Sequence, residues 1–290
     1  MSGSPEENGD DKREGDGAQL YVVATPIGNL EDVTLRALRV LRNAPVIAAE
    51  DTRHTARLLE HHGIPRQAVA LHRHNEQAMA DKVIGWLAEG KSVALVSDAG
   101  TPGISDPGAI VAAKARAAGY RVTPIPGPSA LAAAMSASGL DADGVLFLGF
   151  LPATGQARRK ALAPHAHAPY ALALYEAPHR VVECVEDLAS LLGERRLVIA
   201  RELTKVFESI HECALADAAD WLRGDANRLR GEFVLIVSGA ATQPPEDWES
   251  VLSVLLADLP LAQAVRLTCE ITGAKRKPVY ERALEKNKPL

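Results

Sequence analysis

An α/β chain is what the sequence predicts: two α/β domains followed by a small helical domain. Three observations carry that prediction. Short runs rich in Val, Ile and Leu alternate with helix-length segments through the first half of the chain. Strand-like runs return from Tyr170 with closer, hairpin-like spacing in their middle pair. A break at Thr242-Gln243-Pro244-Pro245-Glu246 then separates these from segments with helical periodicity. With 290 residues, 47% of them hydrophobic, the chain can bury cores of this kind.

In order, the strands are expected at Leu20–Ala24, Val46–Ala49, Val93–Val96, Arg121–Ile125 and Val145–Phe150. The helix after the first is legible: Leu35, Leu38 and Leu41 share one face, and Arg36, Arg39 and Arg42 another. Pro124 to Pro128 holds three prolines and a glycine, and a small-residue helix opens at Ala130–Ala134 that can approach a ligand closely. The second set of strands is expected at Tyr170–Tyr175, Leu197–Ala200, Phe207–Glu212 and Phe233–Val237. Trp248–Leu259, Leu261–Gly273 and Val279–Lys286 read as helices, with the basic run Lys275-Arg276-Lys277-Pro278 before the third. The expected organisation is an acidic tail at 1–18, α/β domains at 19–138 and 139–241, and a helical domain at 247–290.

The formal charge of −5 argues at first against a nucleic-acid partner. Residues 1–18, however, hold six acids and two bases, so the body is near −1, which is compatible with local basic surfaces. The tail has no apolar periodicity, and disorder is expected there. There is neither an uninterrupted apolar stretch of membrane-spanning length nor an apolar region in the first residues, so the cytoplasm is the expected location. Cys184, Cys213 and Cys269 are far apart and suggest buried hydrophobes, not a disulfide framework or a thiolate metal site.

Two loops carry the chemistry. Ala24-Thr25-Pro26-Ile27-Gly28-Asn29-Leu30 follows the first strand and opens a helix, without the glycine spacing that cradles dinucleotide or triphosphate groups. The stretch from Ser97 to Gly108, Ser-Asp-Ala-Gly-Thr-Pro-Gly-Ile-Ser-Asp-Pro-Gly, spends about twelve residues where a plain connection needs two to six, so its backbone is expected to be shaped for a ligand.

Together with Ala49-Glu50-Asp51-Thr52-Arg53, Ile125-Pro126-Gly127-Pro128-Ser129-Ala130, Phe147-Leu148-Gly149-Phe150-Leu151-Pro152, Tyr175-Glu176-Ala177-Pro178-His179-Arg180 and Arg201-Glu202-Leu203-Thr204-Lys205, these loops appear in an order that resembles one family. It is the 16S ribosomal RNA cytidine 2′-O-methyltransferase branch of the tetrapyrrole methylases, and the resemblance spans roughly residues 19–290. It implies transfer of a methyl group from S-adenosylmethionine to a cytidine ribose, two α/β domains with the cofactor in the cleft between them, a homodimer, and 16S ribosomal RNA or the small subunit as partner. The alternative is a methylase of a tetrapyrrole or other small molecule. The first loop, Thr25-Pro26-Ile27-Gly28-Asn29, differs from the glycine-rich loop of the corrin branch and favours RNA.

The resemblance assigns the cofactor to Pro26, Ser97, Asp98, Ala99, Gly100, Ile104, Ser129, Ala130, Phe150, Leu151, Pro152, Gly231, Glu232 and Phe233. A ribose hydroxyl must lose a proton during transfer, so a carboxylate or histidine beside the cleft is sought among Glu50, Asp51, His54 and Glu208. Asp51 stands where a helix can start and serves as catalytic group or as helix cap. Arg53 can hold a phosphate or a developing alkoxide, and Lys205 is placed with it. Asp51, Arg53, Lys205 and Glu208 are therefore the catalytic candidates. RNA contact is expected from Arg158, Arg159, Lys160, Arg180, Lys275, Arg276 and Lys277, and from the Arg36/Arg39/Arg42 face. His54, His61, His62, His72 and His74 cluster in sequence but lack metal-ligand spacing, and no metal is expected.

Overall fold

The computed structural model describes residues 17–70, 76–240 and 248–286, so His72, His74, the break at 242–246 and nearly all of the acidic tail lie outside the described residues. The first half runs β1 (Gln19–Val23), α1 (Leu35–Asn43), β2 (Val46–Ala49), α2 (Thr52–His61), β3 (Ala68–Ala70), α3 (Glu76–Ala88), β4 (Val93–Val96), α4 (Ala109–Ala117), β5 (Arg121–Ile125) and α5 (Ala130–Ala137). Its strands form one parallel sheet in the order β3-β2-β4-β1-β5. One core with Leu38, Leu41, Ile47, Leu58 and Leu59 covers one face, and a second with Leu20, Met79, Val83, Leu87 and Leu95 covers the other. Burial on both faces is why β4 reads Val-Ala-Leu-Val without alternation.

The strand β3, absent from the sequence reading, is three residues long with Val69 exposed, too short to carry a periodic signal. In α1 the arginines 36, 39 and 42 are exposed as expected, and Thr34 caps the helix by accepting from the Ala37 amide at 3.1 Å. Leu35, expected on the buried stripe, is instead 86% exposed, while Ala37, Leu38, Val40 and Leu41 are buried. A side chain on the first turn leans back past the helix end, beyond the surface that the sheet covers.

The second half runs β6 (Val145–Phe150), α6 (Gly155–Leu162), β7 (Ala171–Glu176), α7 (Val181–Leu192), β8 (Arg196–Arg201), β9 (Ser209–Ala214), α8 (Ala218–Arg223) and β10 (Phe233–Val237). The sheet order is β6-β7-β10-β8-β9, with β6 and β7 parallel and the remaining pairs antiparallel. The expected local pair is β8 and β9, but Phe207 and Glu208 fall in the turn before β9. Leu172, Leu174, Val185 and Leu188 belong to the core on one face. On the other face Ala171, Ala173, Val198, Ala200 and Ile236 pack with Ala134 of α5. Thus α5, counted with the first domain by sequence, covers the second sheet, and its run of alanines allows that close approach.

Residues up to Gly239 make one compact unit, and those from Ala240 a second. The second contains α9 (Trp248–Asp258), α10 (Leu261–Thr272) and α11 (Arg276–Lys286) around Leu252, Ala264, Val265, Val279 and Ala283. Gly273, at φ +68°, ends α10 in the left-handed conformation that glycine adopts without strain. Helix α11 starts three residues earlier than expected, which places Arg276 and Lys277 in its first turn. Proline is tolerated there because first-turn amides have no intrahelical partner. Among the described residues no helix is long and apolar enough to cross a membrane.

Candidate functional site

The loops after β1 and β4 leave the carboxyl edge of the parallel sheet side by side but lead to opposite sides of it, the place where open α/β sheets bind ligands. They are tied together there. The Thr25 amide donates to the Gly100 carbonyl and the Gly100 amide to the Thr25 carbonyl, both at 2.9 Å, and Thr25 Oγ1 donates to the Ser97 carbonyl at 3.2 Å. Gly100 sits at φ +72° to make this pairing possible.

Beyond this tie lies a cavity of about 410 Å³, within the range of small-molecule sites. One wall is the loop from Asp98 to Asp106 with Ile27 and Glu50; the N-terminus of α5 adds Ser129 and Ala130. Phe150, Tyr175 to Pro178, Leu203 and Glu232 to Val234, from the second sheet, make the other. The Tyr175 hydroxyl accepts from the Leu131 amide at 3.2 Å, joining β7 to the first turn of α5. Burial, first, pushes this phenol above its ordinary pKa, and the Leu131 hydrogen bond only partly offsets it. Phe150 is 57% exposed and meets Tyr175 edge-on, with ring centroids 5.7 Å apart.

A second cavity of about 220 Å³ is bounded by Thr25, Pro26, Leu30, His54, Thr55, Arg57, Leu58, Ser97 and Asp98. Asp98 borders both spaces.

The structure thus brings nine of the expected cofactor residues to the larger cavity: Asp98, Ala99, Gly100, Ile104, Ser129, Ala130, Phe150, Glu232 and Phe233. Pro26 and Ser97 border the smaller one. Leu151 is buried in the core beneath the second sheet, Pro152 is exposed, and neither lines either of these two cavities. Gly231, at φ +88°, lies beneath the Glu202 side chain. Sequence reasoning missed Ile27, Thr101, Ser105, Asp106, Tyr175, Glu176, Ala177, Pro178, Leu203 and Val234. All but Val234 stand inside the quoted motifs, so the signal was present but assigned to neighbours.

The catalytic candidates are arranged differently from the expectation. Asp51 is the N-cap of α2. Its carboxylate accepts from the Arg53 amide at 2.8 Å, and from Arg53 Nε at 3.2 Å and Nη2 at 2.8 Å. Hydrogen bonds from the Arg53 side chain, then from its amide, hold that carboxyl far below the usual carboxylate range, which makes it a poor base. The Arg53 guanidinium is correspondingly strengthened and its side chain is 88% exposed. Neither residue lines either of these two cavities, although the Asp51 amide donates to Asp98 Oδ1 at 2.8 Å.

Lys205 Nζ is held between Glu202 Oε1 at 2.9 Å and Glu232 Oε2 at 2.8 Å. Burial alone would lower this amine; the hydrogen bonds to Glu232 and Glu202 outweigh it and raise its pKa. Glu208 Oε2 accepts from the Thr204 amide at 2.6 Å. Both side chains serve the turn after β8, where Glu202 (φ +50°) and Thr204 (φ +64°) adopt backbone angles uncommon outside glycine. That turn meets the first loop closely: the Asn29 amide donates to Thr204 Oγ1 at 3.0 Å, and a Cβ on Gly28 would stand 2.5 Å from Lys205 Cγ.

The basic candidates also divide. Arg158 is fully buried, with Nε 2.6 Å from Asp187 Oδ2, and cannot reach RNA; the expectation is corrected by the packing of α6 on α7. Arg180 Nη2 donates to the carbonyls of Leu151 at 2.6 Å and Pro152 at 3.2 Å, so it too is spent inside the protein. Arg159 is half exposed beside Asp187, and Lys160, Lys275, Arg276 and Lys277 are exposed. Of the histidines, His54 is exposed at the smaller cavity, and His62 Nε2 lies 3.0 Å from the Leu30 carbonyl. Among the described residues no cluster of metal-ligating side chains occurs.

Comparison with known proteins now decides the family. A model described as tetrapyrrole (corrin/porphyrin) methylases matches residues 19–219, and one described as the RsmI C-terminal HTH domain matches residues 242–287. A ribosomal RNA small subunit methyltransferase I from Xylella fastidiosa (strain Temecula1) is 51% identical over 265 residues, 90% of this chain and 97% of that one. The chain belongs to this methyltransferase family. A relative of the same name from Escherichia coli O157:H7 is 49% identical over 271 residues, 92% of this chain and 95% of its own. Among solved structures, uroporphyrin-III C-methyl transferase from Thermus thermophilus, complexed with S-adenyl homocysteine, shares the fold. It has a TM-score of 0.54 at 21% identity, over 76% of this chain and 97% of that one. The resemblance read from the motifs and the two-sheet fold with its helical C-terminal unit are borne out.

Proposed function

We propose that this methyltransferase transfers a methyl group from S-adenosylmethionine to the 2′-hydroxyl of a cytidine ribose in 16S ribosomal RNA, acting in the cytoplasm as a homodimer. The observation that supports it most directly is the pair of adjoining cavities with Asp98 at their border. A donor and an acceptor can lie side by side there without sharing space.

The larger cavity suits the donor chemically. Ile27, Leu203, Phe233 and Val234 offer apolar surface for an adenosine, while Glu50, Asp98 and Asp106 offer carboxylates toward a cationic sulfonium and ammonium. When bound, S-adenosylmethionine supplies an electrophilic methyl group on a positively charged sulfur. The Ser97–Gly108 loop and α5 hold the donor's position, and alignment of this kind can supply about 7–11 kcal/mol of barrier reduction. The smaller cavity receives the ribose, with His54 and Arg57 at its rim. Asp98, which faces both spaces, accepts the hydroxyl proton, a role worth roughly 10²–10⁴-fold in rate. Asp51 and Arg53 act through it, since the Asp51 amide steadies Asp98 Oδ1.

RNA contact falls to Arg159 and Lys160, to the exposed arginines of α1, and to Lys275, Arg276 and Lys277. RNA helices present a narrow major groove, so these groups read phosphate and shape, not base edges.

The decisive experiment supplies labelled S-adenosylmethionine and small ribosomal subunits that lack the modification, then maps the label. Label on a cytidine 2′-oxygen is the expected result. Transfer to a tetrapyrrole and none to subunits would replace this reading with the small-molecule one.

A further inference from the structure

The segment Phe150-Leu151-Pro152 enters the larger cavity only through Phe150. The strand before it is bulged, with a register shift against β7 between Phe147 and Gly149, and Gly149 sits at φ +62°. A bulge re-aims the residues that follow it. The ring of Phe150 is more than half exposed and touches Tyr175 only at its edge, so the ring itself adds little packing; the segment is carried by the β6–β7 pairing, with Phe150 opposite Tyr175, and by the buried Leu151.

A backbone clamp from Arg180, the N-cap of α7, adds to this. Arg180 Nη2 donates to two successive carbonyls, Leu151 at 2.6 Å and Pro152 at 3.2 Å. On its other side Arg180 Nε lies 3.2 Å from Glu176 Oε1, and the Glu176 side chain is completely buried. The same Oε1 accepts from the Ala177 amide at 2.8 Å, and Ala177 and Pro178 themselves line the cavity. One guanidinium therefore fixes both edges of the second-sheet wall: the Phe150 edge through two carbonyls and the Ala177 edge through Glu176. The planar fork of arginine can do this; a lysine ammonium presents one point of attachment.

We infer that Arg180, oriented by Glu176, is a positioning residue that shapes the methyl-donor pocket and makes no contact with RNA. The inference rests on the reading of the larger cavity as the donor site. An arginine in a Tyr-Glu-Ala-Pro-His-Arg motif at the rim of an RNA enzyme invites the opposite assignment, as a phosphate contact. The contacts decide against it: Nη2 donates to two backbone carbonyls, and Nε forms an ion pair with a buried carboxylate.

The test titrates S-adenosylmethionine and S-adenosylhomocysteine into the full chain and into Arg180→Ala, Arg180→Lys and Glu176→Gln, with thermal unfolding recorded for each. Small-subunit binding is measured in parallel over a series of salt concentrations. Arg180→Ala is expected to lose about tenfold or more in affinity for both cofactor forms, Arg180→Lys to recover part of it, and Glu176→Gln to lose in the same direction. With saturating donor, kcat falls on the scale of misplaced reacting groups, up to about 10²-fold, while KM for subunits stays near that of the unaltered protein. The slope of subunit affinity against salt is expected to be unchanged. Cofactor affinity equal to the unaltered protein in folded Arg180→Ala overturns the inference, as does a shallower salt slope, which marks a lost phosphate contact. If Arg180→Ala does not fold, Arg180→Lys decides in the same way, since Glu176 lines the cavity itself. Failure of the unaltered chain to bind either cofactor form overturns the donor-site reading and this inference together, and is distinguished from the other outcomes by that control.

Discussion

The two walls of the larger cavity are built by different means. On the first-sheet side the backbone does the shaping: Gly100 at positive φ, the reciprocal Thr25–Gly100 hydrogen bonds, and a loop dense in glycine and proline. On the second-sheet side charged side chains do much of the holding, and where the backbone is unusual, at Glu202 and Thr204, they brace it. Arg158 is locked to Asp187, Arg180 to Glu176 and two carbonyls, and Lys205 to Glu202 and Glu232. A wall made by conformation announces itself in composition, because few residue types tolerate such angles. A wall made by ion pairs looks in sequence like surface charge, and here it drew an RNA-binding or catalytic assignment.

The sharpest way to break the contrast is Arg158→Ala. It removes a fully buried guanidinium but leaves Asp187 paired with the half-exposed Arg159, so the loss in denaturant unfolding is expected to approach but not reach the ~3–5 kcal/mol of a wholly stranded buried charge. A variant as stable as the parent means that α6 does not depend on the pair. Next come two glycines, one from each wall. A Cβ on Gly231 would lie 2.5 Å from Glu202 Oε1 at a positive φ, so Gly231→Ala should cost about 3 kcal/mol from strain and overpacking together, with weakened cofactor binding. A Cβ on Gly100 would meet nothing closer than Ile27 Cγ2 at 3.6 Å, leaving only the conformational cost of about 1–2 kcal/mol. Equal losses in the two variants would erase the distinction.

Acid offers a gentler probe of the Lys205 lock. Burial works to raise the Glu202 carboxyl, but hydrogen bonds from Lys205 and the Glu232 amide prevail and lower it. Its contribution is therefore whole above the unfolded value of about 4.3 and is lost as pH falls through the lowered folded value. Lys205 is raised, so its share is whole below about 10.4 and is lost as pH climbs through the folded value. Lys205→Met is expected to flatten the acid and alkaline limbs of the unfolding curve; unchanged limbs show that the lock adds nothing. The smallest effect is expected at Lys160, exposed and unconnected to either wall. Lys160→Ala should reduce the salt slope of subunit binding by about 0.9 if one phosphate is contacted, with cofactor affinity intact.

Much of the fold could be read in advance. Val46–Ala49, Val93–Val96, Arg121–Ile125, Val145–Phe150 and Phe233–Val237 coincide with observed strands; β2, β4 and β10 are buried and leave unbroken apolar runs, whereas β5 and β6 are edge strands only partly covered. The misses have local causes: β3 is too short, Leu35 leans off the end of its helix, and α11 begins earlier because a first-turn proline does not delay it. The site was legible where residue type follows from backbone geometry, as at Gly100 and the N-cap Ser129.

By itself the sequence determined the alternation of elements, the two ligand loops and the family, since seven motifs in one order leave few alternatives. Only the tertiary structure decided which charges are available. Arg158, Arg159 and Lys160 are consecutive bases, yet one is buried, one half exposed and one open, because a helix turns about 100° per residue and a single face of α6 meets α7. Asp187, which pairs with Arg158 and Arg159, lies 29 and 28 residues away from them, and nothing in local spacing records it.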